Sequence, residues 1–105
     1  SPNTNNIIQS LHADDIHPSK FSINGVYPNP FNPSTNISFT IPFSSNVKID
    51  IYDIKGNNII NLTNRNYSAG YYNIIWDASM HSSGIYFVKM ISNDFIETKK
   101  IMLVK

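Results

Sequence analysis

Residues 37–52, ISFTIPFSSNVKIDIY, decide the fold class of this chain. Large apolar residues occupy every second position in two runs, which a short segment rich in Pro and Ser separates. These alternating apolar residues are Ile37, Phe39, Ile41, Val47, Ile49 and Ile51. Because successive side chains of a β-strand point to opposite faces, the pattern predicts two strands, each with one buried face and one face toward water.

The same pattern recurs from Phe21 to the end of the chain, with turn-forming clusters at spacings of about 8 to 12 residues. Turns are predicted at residues 53–57, 68–70, 77–84 and 93–94, and no apolar set with helical spacing persists for three turns. The sequence therefore predicts an all-β, Ig-like antiparallel sandwich of about seven strands. The expected core residues are Phe39, Ile49, Ile51, Trp76 and Leu103.

The last predicted strand, residues 95–104, has an inconsistent alternation. Glu97 and Lys99 have the same parity as Ile101, although Ile101 is expected in the core. A β-bulge adds one residue to a strand and thereby reverses the faces of the residues that follow it. We therefore predict a bulge near Lys99 and Lys100.

Composition excludes several classes of function. A chain of 105 residues has room for one core. A net charge of +1 provides no long-range field for a nucleic acid or an anionic membrane, and no run approaches the roughly 18 apolar residues of a spanning helix. The absence of cysteine excludes disulfides, thiolate metal sites and a cysteine nucleophile. The polar start SPNTNN lacks the features of a signal peptide, so export would depend on another part of a longer precursor.

Residues 1–19 show no sustained period and are rich in Asn, Ser, Asp and Pro, so we interpret them as a disordered linker before a folded domain at residues 20–105. This linker contains HADDIH, whose possible metal donors are His12, Asp14, Asp15 and His17. A metal site needs a scaffold that preorganises its ligands, and a linker provides none. Solvated linker residues are therefore the favoured interpretation of this segment.

Residues 27–35, YPNPFNPST, place three prolines within six positions. Each proline fixes its own φ, lacks an N–H and restricts the preceding residue to extended conformations. We predict a stiff structural clip in which the central Phe plugs the core and the Asn side chains bond to nearby backbone. The alternative is a polyproline ligand for an aromatic groove. The clip comprises Tyr27, Pro28, Asn29, Pro30, Phe31, Asn32 and Pro33.

Catalytic patterns are weak in this sequence. His81 lies near Ser79, Ser82 and Ser83, but no strand-to-helix elbow or orienting third group accompanies them. The four glycines form neither a dinucleotide-binding nor a phosphate-binding loop. We therefore expect a protein without catalytic activity and without a cofactor.

Five segments, in order, resemble one known family. They are FSINGVYPNPFNPSTNISFTIP (21–42), VKIDIYDIKGNNI (47–59), AGYYNIIWDAS (69–79), SSGIYFVKM (82–90) and ETKKIMLVK (97–105). Together they are similar to the type A C-terminal sorting domain of type IX secretion system cargo in Bacteroidetes. A flagellar hook-capping Ig-like domain is the related family that is most easily confused with it.

The resemblance implies that the domain is a sorting signal, or address, for export and has no catalytic activity of its own. Domains of this family follow a cargo in the same precursor, reach the periplasm and are recognised by the outer-membrane translocon. The implied partners are therefore the type IX translocon, a sortase that removes the domain and the upstream cargo domain. The implied destination is the cell surface or the extracellular space.

By their positions in the two late segments, six residues become candidates for translocon recognition: Gly84, Tyr86, Lys89, Lys99, Lys100 and Lys105. Each also has a purely structural interpretation. The glycine is a turn residue, the tyrosine fills the core, and the lysines protect an edge strand from aggregation. The sequence leaves the two interpretations of the lysines equal and favours the structural one for Gly84 and Tyr86.

A different class of function is a passive or glycan-binding accessory module of a secreted enzyme. Tyr67, Tyr71 and Tyr72, with exposed Asn side chains, would provide a stacking platform and amide donors. Half-buried packing is the more common role of clustered tyrosines on sandwich strands.

Overall fold

The computed structural model describes residues 18–105 and has no helix within them, as the sequence predicts. All but the last two residues of the predicted linker, including HADDIH, lie outside the described residues. The seven strands are β1 (Ser22–Tyr27), β2 (Ser34–Ile41), β3 (Ser45–Asp53), β4 (Asn58–Tyr67), β5 (Gly70–Asp77), β6 (Gly84–Ser92) and β7 (Phe95–Leu103).

These strands form two antiparallel sheets that pack face to face. One sheet has three strands in the order β1-β2-β5, and the other has four in the order β4-β3-β6-β7. The chain crosses from one sheet to the other between β2 and β3, between β4 and β5, and between β5 and β6. The prediction of an Ig-like sandwich of about seven strands is confirmed.

The core lies between the two sheets and consists of the inward-facing residues of the alternating runs. All five residues that the sequence assigned to it are buried: Phe39, Ile49, Ile51, Trp76 and Leu103. The indole ring of Trp76 packs against Phe31 and Tyr86, with ring centroids 5.5 and 5.3 Å apart. Aromatic side chains thus fill one end of the sandwich, where Trp76 contacts both the clip and the four-stranded sheet.

The β3–β4 hairpin forms where its turn residues predict it. Gly56 has a φ of 87°, in the left-handed region that glycine tolerates best. The Asp53 carboxylate accepts hydrogen bonds from the backbone N–H groups of Lys55 and Asn57, both at 2.9 Å. These bonds, the one from Asn57 above all, hold the pKa of Asp53 below its ordinary value.

The predicted bulge in β7 is wrong. β7 pairs with β6 in continuous register from end to end, so Glu97 and Lys99 do point to the same side as Ile101. Glu97 is stable there because its Oε1 accepts a hydrogen bond from the Ile23 N–H at 2.8 Å and its Oε2 lies 3.4 Å from Lys99 Nζ. Since β7 and β1 are edge strands of the two sheets, this polar side chain bridges the rim of the sandwich.

A bulge occurs instead in β1, where the register with β2 shifts between Ile23 and Gly25. Further shifts lie in the β3–β4 pair, between Ile49 and Asp50 and between Ile51 and Tyr52. The extra residues are Asn24 in β1 and Ile59 and Leu62 in β4, so all of them lie in edge strands, where bulges are common.

Candidate functional site

Two of the six predicted recognition residues lie on the outer face of the four-stranded sheet. Lys89 on β6 lies between Asp50 on β3 and Thr98 on β7, and Lys100 lies opposite Phe87. Residues in register share a face, and a residue two positions further along the partner strand is a diagonal neighbour at about 7 to 8 Å. Lys89 and Lys100 are related in this way, so their charges lie on one patch.

The other two lysines lie elsewhere. Lys99 points to the opposite face from Lys100, and its Nζ is 3.4 Å from Glu97 Oε2. Lys105 extends along the β5–β6 loop, where its Nζ donates to the Ser79 carbonyl at 2.7 Å and its N–H donates to Ser83 Oγ at 3.0 Å. The four lysines therefore do not form one cluster.

Gly84 and Tyr86 occupy internal positions at the start of β6. Gly84 has a φ of 153°, which disfavours other residues, although a Cβ there would have no neighbour within 4 Å. Tyr86 is buried, and its hydroxyl donates to the Ser82 carbonyl at 2.6 Å while its ring packs on Trp76. These contacts give Tyr86 a structural role at the base of the β5–β6 loop, and the φ of Gly84 gives the glycine a conformational one.

The β5–β6 loop itself is organised by short hydrogen bonds. The Asp77 carboxylate accepts from the Ser79 N–H at 2.9 Å, and this bond holds the pKa of Asp77 below its ordinary value, with a smaller contribution from the charge of Lys105. The imidazole of His81 lies beside the rings of Trp76 and Tyr86 at centroid distances of 5.6 and 6.3 Å. Within residues 18–105, no serine hydroxyl is hydrogen-bonded to this imidazole, and no group of three or more His, Asp or Glu side chains could hold a metal ion.

The clip lies along the free edge of β7. Phe31 forms a bridge with Leu103, in which its N–H donates to the Met102 carbonyl and its own carbonyl accepts from the Val104 N–H, both at 2.9 Å. Asn29 adds two bonds, since its Nδ2 donates to the Lys100 carbonyl at 3.2 Å and its Oδ1 accepts from the Met102 N–H at 2.9 Å. The Asn29 side chain thus bonds to backbone that is far away in sequence.

This arrangement divides the edge of β7 into two halves. From Lys100 to Val104, the outward backbone groups bond to the clip. Ile96 and Thr98 have the same parity, so in an antiparallel ladder their backbone groups also point away from β6. Among the described residues, the clip reaches only the second half.

Asp50 is a site residue that sequence reasoning missed. It lies on the outer face, yet it is only 1 % exposed. Its Oδ1 accepts from Asn61 Nδ2 at 2.6 Å, and its Oδ2 lies 3.5 Å from Lys48 Nζ without a hydrogen bond from any described residue. Its position between Ile49 and Ile51 indicated a face toward water, and only the register of three strands shows that neighbouring side chains cover it.

The three tyrosines of the glycan-binding alternative do not form a platform. Tyr67 is buried, with its ring 5.4 Å from that of Phe39, and Tyr72 stacks on Phe39 at 5.6 Å. Tyr71, which is 59 % exposed, points to the other face of β5. A planar ligand therefore has one exposed tyrosine of the three on which to stack.

Comparison with known proteins supports the family resemblance. The family model described as a secretion system C-terminal sorting domain matches residues 25–105. The crystal structure of dimeric latent PorU from Porphyromonas gingivalis aligns with a TM-score of 0.61 at 20% identity, over 76% of this chain and 9% of that one. No curated protein matches the sequence significantly.

The structural match shows a shared fold, since its identity is low and this chain spans less than a tenth of the length of PorU. The family model carries more information, because it covers the sandwich from within β1 to the last residue. No helix in the described part of the chain has the length and hydropathy needed to cross a bilayer. The chain belongs to the family of type IX secretion system C-terminal sorting domains, which serve export to the cell surface or the extracellular space.

Proposed function

We propose that this sandwich is a non-catalytic address that the type IX translocon reads on an upstream cargo and that a sortase then removes. The observation that carries the proposal is the match of the family model to nearly the whole sandwich. The contacts of residues 18–105 support it, because His81 and Tyr86 pack against Trp76 and Lys105 bonds to the Ser79 carbonyl. The side chains of His81, Tyr86 and Lys105 thus take part in packing and in a hydrogen bond to the backbone. A surface that is only recognised by a partner needs a stable fold and no reactive group.

The proposed domain comprises residues 20–105, with residues 1–19 as the linker to the cargo. An aromatic group supports this boundary, because the ring of Phe21 lies 5.3 Å from that of Phe43 and 5.6 Å from that of Phe95. Phe21 therefore joins the first residues of the domain to the β2–β3 connection and to the start of β7. A sortase cleft accepts an extended backbone, so the cut belongs before this anchor.

A fluorescent fusion tests the address. Residues 1–105 are placed behind a fluorescent protein with a periplasmic signal, in a strain with an intact type IX system and in one that lacks it. Fluorescence at the cell surface or in the medium is expected only in the competent strain. The fluorescent protein without the domain is the control. Retention of the fusion in the periplasm of both strains, or release from both, would contradict the proposal.

The removal step has its own measurement. Mass spectrometry of the domain released by the competent strain should show a new N-terminus at or before about Phe21. A terminus inside β1–β7 would contradict removal in the linker, and an intact fusion at the surface would contradict removal altogether.

The passive or glycan-binding module remains the alternative, and the structure gives it less support than the sequence did. Two of its three tyrosines are engaged in packing around Phe39. The fusion experiment separates the two functions, because a passive module gives no difference between the strains.

A further inference from the structure

The outer face of the four-stranded sheet carries a patch that lies only partly in the segments 82–90 and 97–105, because its other residues come from β3. We name it the lysine face, and it consists of Lys48, Asp50, Tyr52, Phe87, Lys89 and Lys100. The register places Asp50 beside Lys89 and Tyr52 beside Phe87, which in turn lies beside Lys100. Lys48 lies two residues before Asp50 on β3 and therefore shares its face.

The lysine face presents positive charge to solvent. Three lysines oppose one carboxylate, and that carboxylate is covered, with 1 % of Asp50 exposed. The side chain of Lys48 is 42 % exposed, so its charge remains accessible although it lies 3.5 Å from Asp50. Lys89 Nζ lies 5.6 Å from the centroid of the Tyr52 ring, which gives this ammonium an aromatic neighbour instead of a second acid.

Apolar side chains surround these charges. Phe87 and Tyr52 are half-buried within the patch, and Ile96 and Met102 are 60 % and 41 % exposed on the neighbouring strand β7. Patches that combine aromatic and aliphatic surface with a few charges are typical of protein interfaces.

The number of unpaired lysines determines which acidic partner fits. Lys48 is paired with the covered carboxylate of Asp50, which leaves Lys89 and Lys100 without an ion-pair partner among the described residues. Recognition of an anionic membrane takes a cluster of about four to eight basic side chains, whereas separate carboxylates on a protein surface can pair with individual lysines. The charge pattern thus favours discrete carboxylates over a headgroup layer.

From these observations we propose that the lysine face is the surface through which the domain binds the export machinery, and that its partner is a protein surface with exposed Asp and Glu side chains. The inference rests on the proposed sorting function and names its partner chemistry. Asp50 is a positioning residue, which holds Lys48 near the sheet while Asn61 fixes the other carboxylate oxygen. Lys99 and Lys105 have no part in this surface, because one points to the opposite face and the other bonds to the β5–β6 loop.

Two double variants with equal charge change test the location. In the first, Lys89 and Lys100 become Gln, while Lys48 stays as the ion-pair partner of the buried Asp50; in the matched control, Lys20 and Lys55, neither of which is on the lysine face, become Gln. Both variants should unfold at nearly the wild-type temperature, since these four lysines are at least partly exposed and none of them forms an ion pair with a described residue. In the fluorescent fusion, export of the first variant should fall at least about tenfold and that of the control should stay near wild type.

The outcomes separate the inference from the function on which it rests. Normal export of the lysine-face variant, or an equal fall for both variants, would overturn the inference while the sorting function stands. Failure of the wild-type fusion to leave the periplasm of the competent strain would instead overturn the sorting function.

Photo-crosslinking tests the class of partner. A benzoylphenylalanine at Thr98, beside Lys89, is compared with one at Asn73 on the outer face of the other sheet. A cross-link to a machinery protein from position 98 alone, abolished by the lysine-face substitutions, supports the inference. Sedimentation of residues 1–105 with phosphatidylglycerol vesicles, dependent on the same lysines and without any protein cross-link, would overturn it in favour of a membrane.

Discussion

The two outer faces of the sandwich arise from the same alternating pattern and differ in chemistry. On the three-stranded sheet, Asn73 Oδ1 accepts hydrogen bonds from Asn36 Nδ2 at 3.0 Å and from the Ser38 hydroxyl at 2.7 Å, which forms an uncharged network. On the four-stranded sheet, lysines and half-buried aromatic rings surround Asp50. The alternation of apolar and polar residues therefore determines which side chains face solvent. The identity of those side chains determines which face has charged groups available to bind a partner.

Substitution of Trp76, which is buried between the two sheets, has the largest expected effect on the free energy of unfolding. Trp76→Ala removes a ring that is 1 % exposed, and loss of a buried Trp costs about 3 to 5 kcal/mol in the free energy of unfolding. Denaturant unfolding followed by circular dichroism measures the change. Ile75→Ala, the neighbour on the exposed side of β5, is the control and should change this free energy by less than about 0.5 kcal/mol. Similar unfolding of the Trp76 variant and the wild type would show that the core is not organised around this ring.

Substitution of Asn29 tests whether the clip stabilises β7, the strand that carries Lys100 of the lysine face. Asn29→Ala removes two hydrogen bonds to the backbone of β7, which carries Lys100, and should lower the free energy of unfolding by about 1 to 2 kcal/mol. Asn32→Ala is the matched control, because no described residue is hydrogen-bonded to its side chain. If the two variants unfold alike, the clip is not tied to β7 through Asn29.

A substitution on the uncharged face sharpens the comparison. Asn73→Ala removes the acceptor of two exposed side-chain bonds and should cost about 0.5 to 1 kcal/mol of stability. Export of the fluorescent fusion should remain at the wild-type rate, since the uncharged face has no part in the proposed binding. A loss of export greater than that of the lysine-face variant would reverse the assignment of the two faces.

The smallest expected effect is a change in how the thermal unfolding midpoint depends on pH in acid. The pKa values of Asp53, at the end of β3, and Asp77, at the end of β5, are lowered by backbone hydrogen bonds in the folded state. A lowered pKa gives stability that is fully present above the ordinary value for Asp, about 3.9, and is lost as the pH falls through the folded value. Thermal unfolding midpoints between about pH 7 and pH 2 should therefore fall less steeply for Asp53→Asn and Asp77→Asn.

Asp94→Asn is the control for this acid series, because no described residue is hydrogen-bonded to the Asp94 side chain. Its midpoints should follow the wild-type curve. If the midpoints of the Asp53 and Asp77 variants fall with acid pH as steeply as those of the wild type, the hydrogen bonds to these two carboxylates do not contribute to stability.

The sequence predicted the sandwich well because the alternating runs are regular. Residues such as Ile49 and Trp76 have apolar neighbours of the same parity, so their burial follows from period alone. The prediction failed at β7, where Glu97 has inward parity without being in the core. It lies at the rim of the sandwich and bonds to Ile23, a partner that no local pattern can identify.

The candidate site was less predictable than the fold. Resemblance placed Lys99 and Lys100 together as recognition residues, but adjacent residues of a strand point to opposite faces. Lys48 and Asp50 lie far from the late segments in sequence and reach Lys89 only through the pairing of β3 with β6. A surface assembled from separate strands depends on register, which a single sequence does not specify.

The bonds between the clip and β7 also have a consequence for synthesis. Met102 and Asn29 are 73 positions apart, so the ribosome completes almost the whole domain before these two residues can meet. A polypeptide that stops before Met102 lacks both backbone partners of Phe31 and one of the two backbone partners of Asn29, so the clip cannot close along β7. The closure of the clip along β7 is thus among the last contacts of the sandwich that can form during synthesis.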